Sequence, residues 1–284
     1  RSVGSTIKPF LYALAMQNGM TPCTTLRNVQ HSYGGWTPRN GSHARYGQQV
    51  PLKWALQHSN NWISASLITT LGPQQFVGIL HDFGLNNPDI DRNATPVLSL
   101  GPCEVSVGEM VSAYTAFANG GVRCAPLFVT KIEDSHGNVI AKFQPLMTEV
   151  ISEDNSYRMI DMMRAVIDGG TGSRLKGAYG MKGDICGKTG TTNSNSDGWF
   201  IAFTPELVSG AWVGGEDRDI HFDSTSLGQG AAAALPIWAY FMKKVYADHQ
   251  LGYSDKPQFA IPKDFDFCST SEDTDVNDIQ EVYF

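Results

Sequence analysis

The sequence predicts an α+β domain, and three observations lead there. Apolar residues recur at helical spacing through most of the first half of the chain. Three short strand-like segments then follow one another, Cys186 to Thr191, Gly198 to Thr204 and Leu207 to Val213, with brief links between them, the pattern of an antiparallel meander. Helices first and consecutive strands late point to separate helical and sheet parts rather than to strand–helix alternation. With 284 residues, 42% hydrophobic and 17% charged, the chain can bury a sizeable core and is too apolar for overall disorder.

Gly4 to Asn18 reads as the first helix, with Ile7, Leu11, Leu14 and Ala15 at helical spacing. Pro9 is tolerable there because it falls near the first turn, and Gly19 ends the helix. Pro22 to Gln49 is polar and broken by Gly34-Gly35, Pro38 and Gly41, so it reads as a long loop. Pro51 to His58 and Asn61 to Thr70 are short helices, with Ser59-Asn60 at their junction. Gln74 to Phe83 and Ser106 to Ala118 follow as helices. Leu127 to Ile140 suggests a hairpin turning at Ser135-His136-Gly137-Asn138. Tyr157 to Ile167 precedes the meander as a helix, and Gly230 to Ala247 follows it as another. Residues 1–250 form the expected domain, and residues 251–284 an acidic tail, solvated and loosely held beyond Lys263.

The net charge of −7 argues against nucleic acid as a partner, since phosphate binding needs a basic face. The longest nearly uncharged helical stretch, Ala231 to Met242, falls short of the ~20 residues of a membrane span. Cys23, Cys103, Cys124, Cys186 and Cys268 include no CxxC pair, so they read as free thiols with room for one bridge. The histidines form no HxxxH or HExxH set and GxSxG is absent, which leaves a zinc hydrolase or an α/β-hydrolase without support. The chain opens at Arg1 without an apolar leader and reads as an excised or processed piece or as part of something longer.

Chemistry gathers at three places. In Ser5-Thr6-Ile7-Lys8 the serine and lysine share a helix face. A serine hydroxyl needs a base to become a nucleophile, and a lysine serves only when neutral, which burial and a second cation favour. Ser59-Asn60-Asn61 offers a hydroxyl that can relay a proton and an amide that both donates and accepts. In Lys188-Thr189-Gly190-Thr191 a strand would carry a cation, two hydroxyls suited to a carboxylate, and a glycine where another backbone can approach. An edge strand of this kind can pair with an extended peptide. A second SxxK, Ser173 to Lys176, follows SxN instead of preceding it and opens no apolar helix. Trp36, Tyr46, Trp199 and Trp212 read as packing residues more readily than as cleft lining, and Cys186 as a packed thiol.

In this order the three motifs match the set known for β-lactamases and penicillin-binding proteins. The sequence resembles the transpeptidase domain of class A, bifunctional penicillin-binding proteins. GSTIKPFLYALA, EVSVGEMVSAYTAFANGGV, DGGTG and CGKTGTTNSNSDGWFIAFTPELVSGAWVG carry the resemblance over roughly residues 1–245. It implies a penicillin-binding/β-lactamase-like transpeptidase fold that normally has sheet strands ahead of the serine motif; here Ser5 stands almost first, so those strands are expected either on a separate piece or missing from the sheet. It further implies D,D-transpeptidation of peptidoglycan stem peptides ending in D-Ala-D-Ala, without metal or organic cofactor. Ser5 would be the nucleophile, Lys8 its base and Ser59 the proton relay, with Lys188 tuning it. Asn61, Thr189, Gly190 and Thr191 would bind substrate, and the backbone N–H groups of Ser5 and Thr191 would form the oxyanion hole. β-Lactams would acylate Ser5. The family also implies an upstream glycosyltransferase domain and a membrane anchor, on the outer face of the bacterial cytoplasmic membrane. A serine β-lactamase is disfavoured because the E-x-x-x-N pattern is absent. A non-catalytic β-lactam sensor and a D,D-carboxypeptidase are the remaining alternatives.

Overall fold

The computed structural model describes residues 1–269. Residues 1–4 lie alongside residues 101–105, with an antiparallel bridge between Ser2 and Glu104; the Val3 N–H donates to the Cys103 carbonyl at 3.3 Å and Gly4 to Gly101 at 3.2 Å. A 3-10 turn over Gly4–Ile7 leads into helix α1, Lys8–Gln17. The expected single helix is thus split, with its tight first turn ahead of Pro9, which suits a helix start because it has no N–H to leave unpaired. Phe10 to Met16 are buried, so α1 is apolar nearly all round and forms the centre of the helical part.

Around it lie α2 (Leu52–Gln57), α3 (Asn61–Leu71), α4 (Pro73–Asp82), α5 (Val107–Ala118) and α6 (Glu153–Gly169). Ser106 and Glu109 form a reciprocal capping box on α5. Ser152 caps α6 through the Asn155 N–H, which starts that helix earlier than the apolar pattern implied. Short antiparallel ladders join Thr25–Arg27 to Gln49–Pro51 and Val122–Cys124 to Met147–Glu149. The first closes the base of the long polar loop. The expected hairpin pairs Lys131–Glu133 with Val139–Lys142.

The main sheet is the expected meander: β1 (Cys186–Thr191), β2 (Asp197–Phe203) and β3 (Val208–Gly214) in that order. β2 is buried throughout because both faces are covered. Trp199, Ile201 and Phe203 face the helical core, while Phe200 and Ala202 face helix α7 (Gly230–Ala247) through Leu235 and Trp238. This is the alternation a doubly covered strand needs. Among the described residues β1 and β3 each pair only with β2.

The C-terminal segment differs from the loosely held tail of the sequence reading. Phe259 packs edge-on against Phe203 and donates its N–H to Asp184 at 3.1 Å. Phe265 packs on Tyr157 beneath the Arg158 guanidinium, and Cys268 is bridged to Cys23. Cys103, Cys124 and Cys186 are free. The remaining acidic residues, Glu272, Asp273, Asp275, Asp278 and Glu281, lie outside the described residues. No helix among the described residues is long and apolar enough to cross a membrane.

Candidate active site

Ser5 sits on the 3-10 turn, a geometry that stacks residues i and i+3 and so keeps Ser5 above Lys8. The turn is fastened from three sides. Tyr114 donates its hydroxyl to the Thr6 carbonyl at 2.6 Å, and the Trp199 indole donates to the Ser2 carbonyl at 2.8 Å. Gly4 lies with φ at +53° against β1, where a Cβ would come within 2.9 Å of the Thr191 carbonyl oxygen.

Lys8 is fully buried. Its Nζ donates to the Ser59 carbonyl at 2.7 Å and to Asn61 Oδ1 at 2.6 Å, with Ser59 Oγ 3.3 Å away. Lys188 is also fully buried; its Nζ donates to Ser59 Oγ and to the Thr189 carbonyl, both at 2.9 Å. All of these partners are neutral oxygens, so neither ammonium is compensated. Burial, and then the charge of Lys188, push Lys8 well below the ordinary lysine range. Burial lowers Lys188 to about 7. Ser59 holds the junction between α2 and α3 in the left-handed region, with φ at 52°, an uncommon backbone for a serine that costs on the order of 1–3 kcal/mol. In that pose both its carbonyl and its hydroxyl meet the lysines.

The third motif splits by face. Thr189 and Thr191 border a cleft of about 510 Å³ together with Ser5, Ser59 and Asn61. Gly190 turns the other way, and a Cβ there would lie 2.8 Å from the Val3 carbonyl and 2.9 Å from Thr6 Cγ2. The close approach anticipated at this glycine is therefore that of the segment carrying Ser5. Thr189 Oγ1 shares a 2.7 Å hydrogen bond with Thr171 Oγ1, and the Gly230 N–H at the start of α7 donates to Thr191 Oγ1 at 3.0 Å. Three hydroxyls and the positive end of an 18-residue helix thus meet at one end of the cleft, an environment that favours an anion.

A buried carboxylate ties these parts together. Asp197 Oδ1 accepts from Arg1 Nε at 3.0 Å and from the Trp212 indole at 3.1 Å, and Oδ2 accepts from Thr192 Oγ1 at 2.9 Å. It links the residues before Ser5 to the end of β1.

Some lining residues were not singled out from sequence: Asn40, Gly41, Ser42 and Ala44 from the polar loop, Trp54 and His58 from α2 and its end, Thr171 and Gln229. Only Thr171 carried a signal, within DGGTG. The cleft tryptophan is Trp54, stacked on His58 at 4.6 Å. Trp199 is buried, and Trp36 pairs with Tyr33 away from the cleft lining. Lys176 pairs with Asp168 at the surface, so the second SxxK stands apart. Cys186 donates to the Ile160 carbonyl within the core, and burial raises its thiol pKa.

The family profile described as "Penicillin binding protein transpeptidase domain" matches residues 1–213. Penicillin-binding protein 1A of Neisseria lactamica is 34% identical over 259 residues, covering 86% of this chain and 31% of the relative. Penicillin-binding protein 1A of Aquifex aeolicus is 35% identical over 254 residues, 86% of this chain and 33% of that protein. The chain therefore spans about a third of the length of the curated relatives it matches. The crystal structure of penicillin-binding protein 1A from Haemophilus influenzae superposes with a TM-score of 0.79 at 27% identity, covering 92% of this chain and 43% of that one.

Proposed function

The chain belongs to the penicillin-binding protein transpeptidase domain family, and on that premise we propose that it is a peptidoglycan D,D-transpeptidase acting through an acyl-serine. The observation that carries this reading is the convergence of two buried, uncompensated lysines on Ser59 beneath the cleft that Ser5 borders. A neutral Lys8 has one lone pair and two N–H groups. The Ser59 carbonyl and Asn61 Oδ1 take the two N–H groups, which leaves the lone pair for the Ser5 hydroxyl on the same face.

In the proposed reaction, Ser5 Oγ attacks the penultimate D-Ala carbonyl as Lys8 takes its proton. The oxyanion falls to the backbone N–H groups of Ser5 and Thr191. Removing one such donor typically costs about 10²–10³-fold in rate. The C–N bond then breaks, Ser59 passes a proton to the departing D-Ala amine, and Lys188 steadies Ser59 through the change. A stem-peptide amine from a neighbouring strand attacks the ester and frees Ser5. Thr189 and Thr191, backed by Thr171 and the start of α7, suit the terminal carboxylate of the peptide or of a β-lactam. Residues 1–250 serve as the catalytic domain, within a longer protein whose upstream glycosyltransferase domain and anchor place it at the outer face of the cytoplasmic membrane.

Intact-protein mass after incubation with a penicillin tests the reading, beside a Ser5→Ala control. A stable single adduct on the parent and none on the control is expected. Rapid turnover of the adduct with drug hydrolysis would favour a β-lactamase instead, and no adduct on folded protein would remove the acyl-serine mechanism.

A further inference from the structure

The polar loop of residues 28–49 has no part in the chemistry above, yet its middle is bound to the second motif. The Pro38 carbonyl accepts from the Trp62 indole at 3.1 Å and from Gln30 Nε2 at 3.0 Å. The Arg39 carbonyl accepts from Asn61 Nδ2 at 2.6 Å. Asn40 Oδ1 accepts from the Asn61 backbone N–H at 2.9 Å, while Asn40 Nδ2 donates to the Ser42 carbonyl at 2.8 Å. On the far side, Asn28 donates to the Ala44 and Arg45 carbonyls and accepts from Asn60 Nδ2.

Two of these contacts have a chemical consequence. The Asn61 N–H is the first of α3, and a helix leaves its first N–H groups without internal partners; Asn40 supplies the missing acceptor. A main-chain carbonyl only accepts, so at Arg39 the Asn61 side chain must present its NH₂. Its oxygen is then committed to Lys8 Nζ. With the amide turned over, an N–H would face Lys8 and compete with the Ser5 hydroxyl for the lysine lone pair.

We propose that Arg39 and Asn40 form a positioning clamp that holds the Asn61 amide in the orientation which keeps the Lys8 lone pair free for Ser5. The proposal rests on the acyl-serine reading. It gives the cleft-side loop a specific task, that of orienting an amide which orients the base.

The test is a double-mutant cycle read as the second-order rate of penicillin acylation of Ser5 across pH, with the thermal midpoint measured alongside. Asn40→Ala is expected to slow acylation about tenfold or more, the size of loss that small misplacements in a site produce. Its acid limb should move to lower pH, because a misoriented Asn61 no longer accepts from the Lys8 ammonium. On an Asn61→Ala background, adding Asn40→Ala should change the rate by less than about twofold, since residues acting through one group are not additive. A normal rate and acid limb in Asn40→Ala overturns the clamp. So does a loss carried in full onto the Asn61→Ala background. If Asn40→Ala melts below the assay temperature, Asn40→Leu, which keeps the bulk of the side chain but offers no acceptor to the Asn61 N–H, enters the same cycle under the same criterion. A parent chain that takes no adduct on Ser5 sinks the acyl-serine reading and the clamp with it, whereas acylation with an additive cycle sinks the clamp alone.

Discussion

Two lysines sharing one serine hydroxyl set the residue-scale behaviour of this site. Each ammonium is buried against neutral oxygens only, so the interior favours the neutral amines. Lys188→Met would remove the like charge that helps to depress Lys8. The Lys8 ammonium then becomes easier to hold, its pKa rises, and the acid limb of Ser5 acylation is expected to move to higher pH. Ser59 also loses a donor, and the plateau rate should fall about 10²-fold, as for removal of a group that assists proton transfer. Acylation rates from pH 5 to 9 (about two units either side of neutrality) check both; an acid limb that stays put or moves lower would contradict this account. Stability carries a second sign. The folded chain holds Lys188 near 7 and the unfolded chain near about 10.4. Between those values the unfolded chain binds the extra proton, so this group makes the fold more stable as pH rises from about 7 towards about 10. Relative to Lys188→Met, the parent's thermal midpoint should therefore gain on going from pH 7 to pH 9, and equal pH slopes in the two proteins would deny the shift.

At the scale of elements, the site is a contact between a 3-10 turn and the edge of a sheet, and Gly190 sets its closeness. A methyl group at that position would meet the Val3 carbonyl, Thr6 Cγ2 and Trp199 Cβ, all within about 3.1 Å. Gly190→Ala should push β1 off the turn, destabilise the fold by roughly 1–3 kcal/mol as overpacking does, and slow acylation about 10²-fold by separating the Ser5 and Thr191 N–H groups. Denaturant melts and acylation kinetics check the pair, and an unimpaired rate would mean the turn and strand need not touch so closely. The same contact explains what sequence could reveal. The meander and the main helices were legible because apolar periodicity and breaker residues are local, whereas the start of α6 at its Ser152 cap lies outside the apolar pattern. Ser5, Ser59, Asn61, Thr189 and Thr191 were legible as motif residues and border one cleft, while Lys8 and Lys188, legible in the same motifs, are buried beneath it. The 3-10 turn, the Thr25–Arg27 ladder with Gln49–Pro51, and the reach of Asn40 to Asn61 depend on partners more than 20 residues away, which no local pattern records. Gly190 was legible as a close approach, but the backbone that approaches it was not.

The whole molecule is closed by a segment that leaves α7 and returns across the helical part. Asp184, held by Arg164 through two bonds of 2.7 and 2.8 Å, accepts from Phe259; Phe265 then lies on Tyr157 under Arg158, and Cys268 reaches Cys23 just after α1. The bridge spans 245 residues, so nearly the whole domain lies inside one covalent loop. Closing a loop of that length removes much of the freedom of the unfolded chain, and native bridges contribute typically about 2–4 kcal/mol. The strap touches α6 and the far end of β2, and none of its residues borders the cleft. Stability and chemistry should therefore separate here. Cys268→Ser is expected to lower the unfolding free energy by about 2–4 kcal/mol, while Ser5 acylation at a temperature where the variant is folded stays within about twofold of the parent, as for sites that share no partners. Denaturant melts with and without reductant provide the control: reductant should lower the parent's midpoint towards that of the variant and leave the variant unmoved. A parent indifferent to reductant would mean that the aromatic contacts of Phe259 and Phe265 hold the strap unaided. A variant that folds normally yet acylates slowly would mean that the strap reaches the active site through α6, whose C-terminal end leads into Gly170 and Thr171 on the cleft wall.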